Sequence, residues 1–134
     1  MKALTLKEPW LALIAAGKKK IETRSWKTNY RGPLYLHASA SPVNRNDPQT
    51  AELLRLIPEE PLRCGLVACR CVLTGCRVMD GPFLEQMELE PVERLCGIYA
   101  PGRYAWFLED IEVLPQPFPA KGMLGLWNWE GPSL

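Results

Sequence analysis

The chain has 134 residues, of which 47% are hydrophobic and 23% are charged, a composition typical of one globular domain and not of a disordered protein. Its formal net charge of +1 excludes a polycation, so any nucleic-acid site must be a local basic patch. No apolar run is long enough to span a membrane, and the N-terminus lacks the apolar core of a secretion signal.

The beginning of the chain predicts three strands and one helix. Ala3–Lys7 is predicted as a strand, and Glu8–Ala16 as a helix with a proline near its first position, where proline is well tolerated. Gly17 can adopt the left-handed conformation that ends a helix. Polar and apolar residues then alternate from Lys20 to Arg24 with the period of a strand, and Leu34–Ala38 is predicted as the third strand.

The remainder of the chain predicts a fold rich in short strands. The later elements are a helix at Asp47–Ile57, a central strand at Leu66–Leu73, a helix near Phe83–Glu88, strand segments at Tyr104–Leu108 and Ile111–Leu114, and a closing segment at Gly122–Trp129. Five or six strands with two or three helices favour an α+β fold, because strand-rich chains of this size protect their edges by closing on themselves. We therefore predict one domain, residues 1–134, built as a small mixed β-barrel.

The segment Gly17–Trp26 concentrates charge at the corner between the first helix and the second strand. Glu22 and Arg24 share one face of that strand, with Lys19 at the corner beside them. A carboxylate between two cations, next to a tryptophan, suits a phosphate, a polyanion or a polarised base. The alternative is structural, because lysines at a helix C-terminus complement the helix dipole and a Glu–Arg pair on one strand face is often only a salt bridge.

The five cysteines predict reduced thiols and a cytoplasmic location. An odd number of cysteines without a secretion signal argues against a disulfide framework. Cys69 and Cys71 share one face of the predicted central strand, where a buried free cysteine is the common case. No Cys-x-x-Cys pair occurs, and the single histidine, His37, is distant in sequence, so no metal site is predicted.

The spacing Gly17-x-Lys19-x-x-Glu22-x-Arg24 resembles the Gly-x-Lys-x-x-Glu-x-Arg signature of the ASCH domain family. Other segments resemble further parts of that family in the same order, namely Leu4–Trp10, Arg31–Ser39, Gly102–Trp106 and Gly125–Trp127. The resemblance covers nearly the whole chain. It implies a fold similar to the PUA RNA-binding domain, with a cleft between the barrel and a helix.

The resemblance implies three kinds of activity. Some ASCH domains bind RNA or DNA as modules of transcription coactivators, and some bacterial members resemble metal-dependent ribonucleases. Another bacterial branch removes the acetyl group from N4-acetylcytidine with the motif Gly-x-Lys-x-x-Thr-x-Arg, whose Lys and Thr act with a distant Glu. The Lys falls on Lys19, but Glu22 replaces the threonine, so the chain lacks the hydroxyl nucleophile at that position, although Glu22 can serve as a general base for water.

Seven residues are candidates for the site. Lys19 and Glu22 are the catalytic candidates if the chain is an enzyme, and Glu22 can also accept a hydrogen bond from the exocyclic amine of a base. The candidates for ligand binding are Arg24, Trp26, Lys27, Tyr30 and Ser39. An arginine fork binds phosphate, and aromatic rings stack on splayed bases.

These observations predict a protein that binds RNA or a modified nucleoside in a basic cleft beside the charged segment. The first alternative is a small hydrolase on the same scaffold, either an N4-acetylcytidine amidohydrolase or a ribonuclease. The second is a protein-interaction domain whose charge cluster only holds the barrel together. No cofactor is expected, apart from a divalent metal ion in a ribonuclease, and no membrane partner is expected. The oligomeric state is left open.

Overall fold

The computed structural model describes residues 1–132, which form an α+β fold around one curled, six-stranded sheet. The strands are β1 (Lys2–Leu6), β2 (Ile21–Arg24), β3 (Gly32–Ala38), β4 (Leu66–Val78), β5 (Tyr104–Pro119) and β6 (Leu126–Asn128). The helices are α1 (Trp10–Ala15), α2 (Pro48–Arg55), α3 (Gly81–Met87) and α4 (Pro91–Leu95). Within residues 1–132, no helix has both the length and the hydropathy needed to cross a membrane. The barrel-like α+β fold class predicted from the sequence is confirmed.

The sheet has the strand order β2-β5-β4-β3-β1-β6, which leaves β2 and β6 as its two edges. β1 and β3 are parallel, as a crossover connection requires, and every other neighbouring pair is antiparallel. The register shifts within the β3–β4 and β4–β5 pairs, and such irregularities increase the local twist. The resulting curl brings β2 close to the end of β1 without pairing the two strands.

Helix α1 connects the sheet to α2. Leu11 and Ile14 pack into the main core on the inner face of the sheet, whereas Leu13 packs in a second cluster with Leu53 of α2. The helix ends before Gly17, whose φ of +80° is the left-handed conformation predicted from the sequence. Because α1 is held on two sides, the residues that follow Gly17 have a fixed position at the corner before β2.

A buried carboxylate fixes the start of α1. Glu8 accepts hydrogen bonds from the backbone N–H groups of Ala12 and Arg63, each at 2.8 Å, and burial raises the pKa of Glu8. The helix begins at Trp10 with Pro9 as its N-cap, slightly later than the sequence predicts. Glu8 thus joins the end of β1, the start of α1 and the loop that precedes β4.

Two regions differ from the predicted elements. The two strand segments predicted before Pro115 form one continuous strand, β5, which runs on to Pro119. Within residues 1–132, β2 pairs only with Tyr104–Phe107, so in this part of the chain the later half of β5 has no strand partner on that side, where proline residues are tolerated. The acidic segment after α3 also contains α4, which the sequence does not predict because so short a helix has little periodicity.

Thiol reactivity is expected to follow the burial of the cysteines, all five of which are free thiols. Burial raises the pKa of Cys69 to about 11 and that of Cys71 to about 12, so neither forms much reactive thiolate near neutral pH. We expect an alkylating reagent to modify the exposed Cys64 well before these two. Peptide mass spectrometry after brief labelling measures the order, with urea-unfolded protein as the control. Labelling of Cys71 as fast as Cys64 in the folded protein would contradict its burial.

Candidate functional site

The gap between β2 and the end of β1 forms a cleft of about 540 Å³. One hydrogen bond, from Arg24 Nη2 to the carbonyl oxygen of Thr5 at 3.1 Å, spans the two strands. The walls of the cleft are the end of β1, residues 22–24 of β2, the segment after α4 and the segment before β6, together with Trp10 of α1 and Gln49 of α2. Its volume suits a small organic ligand or one unit of a polymer.

The β2 wall of the cleft carries a carboxylate held between two cations. Glu22 and Arg24 lie on the same face of the strand, as the sequence predicts. Arg24 donates from Nε to Glu22 Oε2 at 2.9 Å, and its Nη2 lies 2.8 Å from the same oxygen. Lys19 Nζ lies 3.4 Å from the other oxygen, Oε1. Each carboxylate oxygen therefore has a cationic partner, and the orientation of the carboxylate is fixed.

Lys19 lies beneath this wall. Its side chain is 1% exposed, and Nζ donates hydrogen bonds to the carbonyl oxygens of Ile21 at 2.6 Å and Cys96 at 2.8 Å. An ammonium group has three donors, and these two bonds together with the contact to Glu22 use all three. Lys19 therefore supports β2 and the end of α4, and it is absent from the residues that line the cleft.

A half-buried carboxylate, that of Glu93, holds the start of β2. Glu93 of α4 accepts hydrogen bonds from the backbone N–H groups of Lys20 at 2.8 Å and Ile21 at 3.3 Å. Burial raises the pKa of Glu93, against the opposing effect of these hydrogen bonds and of Lys19. Together with the bond from Lys19 to Cys96, this contact attaches α4 to β2. The helix that the sequence does not predict therefore positions the charged segment.

Arg103 joins two walls of the cleft. Its Nε donates to the carbonyl oxygen of Ile98 at 3.0 Å, and its Nη2 donates to that of Thr23 at 3.4 Å. The N–H of Ile98 in turn donates to Thr23 Oγ1 at 3.0 Å. The bond from Arg103 to Thr23 gives a partner to a backbone carbonyl at the edge of β2. Arg103 is also the third cationic residue that lines the cleft, with Arg24 and Lys7.

The structure brings three of the seven predicted site residues to the cleft wall, namely Glu22, Arg24 and Ser39. Ser39 is held beside the end of β1 because its N–H donates to the carbonyl oxygen of Leu6 at 2.7 Å. Lys19 contacts the underside of Glu22. Four of the seven residues thus lie at the cleft wall or directly beneath it.

The other three predicted residues, Trp26, Lys27 and Tyr30, do not line the cleft. Trp26 packs edge-on against Trp106, with ring centroids 4.8 Å apart, and its carbonyl oxygen accepts a hydrogen bond from the Trp106 indole. Tyr30 donates to the carbonyl oxygen of Pro33 at 2.5 Å and lines a separate, smaller pocket. Lys27 is exposed. Their contact with a ligand stays a prediction.

Several residues of the cleft wall are missing from the candidates selected from the sequence. They include Lys7, Arg103 and the apolar residues Ile98, Met123 and Leu124. A signal for the two cations exists, because each adjoins the end of a strand and functional residues often lie in such loops. The three apolar residues have no comparable signal, since only the tertiary structure shows that they face the cleft.

The cleft is positively charged. Lys7, Arg24 and Arg103 line it, with Lys19 beneath, whereas Glu22 is the one acidic residue of the lining within residues 1–132. Such a site can bind an anion through arginine while the fixed carboxylate accepts hydrogen bonds from N–H donors of the same ligand. In the described part of the chain, no group of three or more His, Cys, Asp or Glu side chains is arranged to hold a metal ion.

Comparison with known protein families agrees with the signature found in the sequence. The ASCH domain family matches residues 4–118, which is most of the chain. The match contains the whole Lys19–Glu22–Arg24 cluster, all four helices and nearly all of β5. Comparison with curated proteins gives no significant match. The chain belongs to the ASCH domain family.

Proposed function

We propose that this ASCH domain binds RNA or a modified nucleoside, with one nucleotide unit placed in the cleft between β1 and β2. The observation that carries the proposal is the Glu22 carboxylate, fixed between Lys19 and Arg24 at the wall of a positively charged cleft of about 540 Å³. A nucleotide combines an anionic phosphate with a polar base edge, and the cleft offers complementary groups for both.

Glu22 and Arg24 suit different parts of a nucleotide. The carboxylate of Glu22 can accept a hydrogen bond from the exocyclic amine of a base such as cytosine. The hydrogen bonds that Arg24 makes within residues 1–132 use Nε and Nη2, which leaves Nη1 to bind a phosphate oxygen. Lys7 and Arg103 add positive charge at the wall, which attracts neighbouring phosphates.

The position of Lys19 favours binding over hydrolysis. A catalytic lysine must come within hydrogen-bond reach of its substrate, whereas the Nζ atom of Lys19 is bonded to Ile21 and Cys96 and is covered by Glu22. The amidohydrolase and ribonuclease hypotheses therefore require Glu22 to activate water without a free lysine. They remain alternatives that the assays below distinguish.

Replacement of Lys7 by glutamine is expected to weaken the binding of a short single-stranded RNA and to reduce the dependence of binding on salt. Loss of one phosphate contact lowers the slope of log K against log salt concentration by about 0.7 for a single strand. Lys18→Gln removes the same charge from an exposed lysine that does not line the cleft, so it is the matched control. Fluorescence anisotropy over a series of salt concentrations measures both slopes.

Other outcomes would contradict the proposal. Equal salt-dependence slopes for the Lys7→Gln and Lys18→Gln variants would place the RNA outside the cleft. Failure of the wild-type protein to bind any RNA or nucleoside would refute the proposal. Release of cytidine from N4-acetylcytidine, or metal-dependent cleavage of RNA, would demonstrate a hydrolase. A Glu22→Gln variant with lower stability but unchanged RNA affinity would favour the protein-interaction domain.

A further inference from the structure

The mouth of the cleft carries an apolar rim formed by Ile98, Met123 and Leu124. Their side chains are 60%, 61% and 98% exposed. Single exposed apolar side chains are common on protein surfaces, but several around one cleft indicate a contact surface for a ligand. Met123 and Leu124 also lie after residue 118, where the match to the ASCH family ends. Two of the three rim residues therefore lie outside the matched part of the chain, whereas Ile98 lies inside it.

The rim segment between β5 and β6 is fixed at its base. His37 Nε2 donates to the carbonyl oxygen of Ala120 at 2.7 Å, and His37 Nδ1 accepts a hydrogen bond from the hydroxyl of Thr5 at 3.1 Å. Gly122 packs closely over this pair, because a Cβ atom at that position would lie 2.8 Å from Thr5 Oγ1. The fold thus holds the rim segment in place while leaving its two apolar side chains unburied.

We infer that the rim packs against the base next to the one held in the cleft, so the ligand is a single-stranded RNA segment rather than a free nucleoside. This inference rests on the function proposed above. The faces of a base are apolar, and proteins cover them with aliphatic or aromatic side chains. A base-paired strand keeps those faces stacked on its neighbours, whereas an unpaired segment offers one to the rim.

The charges beside the rim argue for RNA rather than a protein partner. Lys7, Arg24 and Arg103 line the same cleft, and the phosphate that links the two nucleotides would lie among them. Alternation of apolar contacts with phosphate contacts is the usual arrangement in proteins that bind single strands. A partner protein would have to supply both an apolar surface and closely spaced anions at one point.

Replacement of Leu124 by serine tests the inference. Two short RNAs serve as ligands, one intact strand with a central cytidine and one in which abasic sites flank the same cytidine. We expect Leu124→Ser to weaken the binding of the intact RNA by about five- to tenfold, because a contact with apolar area is lost, and to leave the affinity for the abasic RNA unchanged. Leu89→Ser is the matched control, since Leu89 is 81% exposed and does not line the cleft. It should change neither affinity.

The two RNAs separate failure of the inference from failure of the proposed function. Equal affinities of wild type and Leu124→Ser for the intact RNA, or equal losses for both RNAs, would overturn the role of the rim while leaving cleft binding in place. Absence of wild-type binding to both RNAs would overturn the proposed function and the inference with it. Because Leu124 is 98% exposed, the variant is expected to fold like wild type, and thermal unfolding checks this directly.

Discussion

Replacement of Lys19 by methionine is expected to lower the free energy of unfolding by about 3–5 kcal/mol. Methionine fills a similar volume, but the carbonyl oxygens of Ile21 and Cys96 lose their donor and Glu22 loses one of its two cations. Glu22 keeps Arg24 as a partner but loses the cation at its other oxygen, and removal of part of a buried ion pair is costly. Each buried carbonyl oxygen left without a donor adds to the cost. Urea unfolding followed by tryptophan fluorescence measures the change.

Lys18→Met is the matched control for this variant, because Lys18 is exposed one residue earlier in the chain. It is expected to change the free energy of unfolding by less than about 0.5 kcal/mol. In the double variant Lys19→Met, Glu22→Gln, the loss should be smaller than the sum of the two single losses, since the neutral glutamine at position 22 leaves no buried negative charge that lacks its lysine. A Lys19→Met protein as stable as wild type would refute the buried position and restore Lys19 as a candidate for substrate contact.

The contrast between Glu22 and Lys19 shows which parts of the site are local. Glu22 and Arg24 were placed together by the period of two in a strand, which depends on neighbouring residues alone. The burial of Lys19 depends instead on the carbonyl oxygen of Cys96, which is 77 positions away, and on α4, which is held to β2 by Glu93. A local sequence pattern carries no information about contacts between residues so far apart in the chain. A buried lysine and an exposed lysine at a helix end therefore cannot be distinguished by the pattern alone.

The same distinction applies to the fold and to the aromatic residues. The barrel-like class followed from strand number and chain length, because a sheet of this size must protect its edges. The positions of the Trp26 and Tyr30 side chains could not be predicted in the same way. Both residues lie after the last residue of β2, where the strand period no longer applies. Trp26 reaches Trp106 across the β2–β5 pair, and Tyr30 reaches Pro33. Loop geometry, which the sequence does not encode as a period, decided both positions.

Replacement of Arg24 by glutamine is expected to weaken the binding of single-stranded RNA by about ten- to a hundredfold. A hydrogen bond to a charged group contributes about 1.5–3 kcal/mol, which corresponds to that range of affinity. Arg24 also orients Glu22 and spans the gap to Thr5, so its loss removes a ligand contact and loosens the wall that carries the carboxylate. Anisotropy titration at one fixed salt concentration measures the effect.

Arg77→Gln is the control for loss of an arginine charge, because Arg77 pairs with Asp80 at 3.5 Å and does not line the cleft. Arg24→Lys keeps the charge but not the planar fork, so an affinity between those of wild type and Arg24→Gln would show that the fork itself contributes. If Arg24→Lys bound like wild type, the residue would act only through its charge. If Arg24→Gln bound RNA like wild type while losing stability, Arg24 would serve only to hold β2 against β1, and the ligand would have to bind elsewhere on the protein.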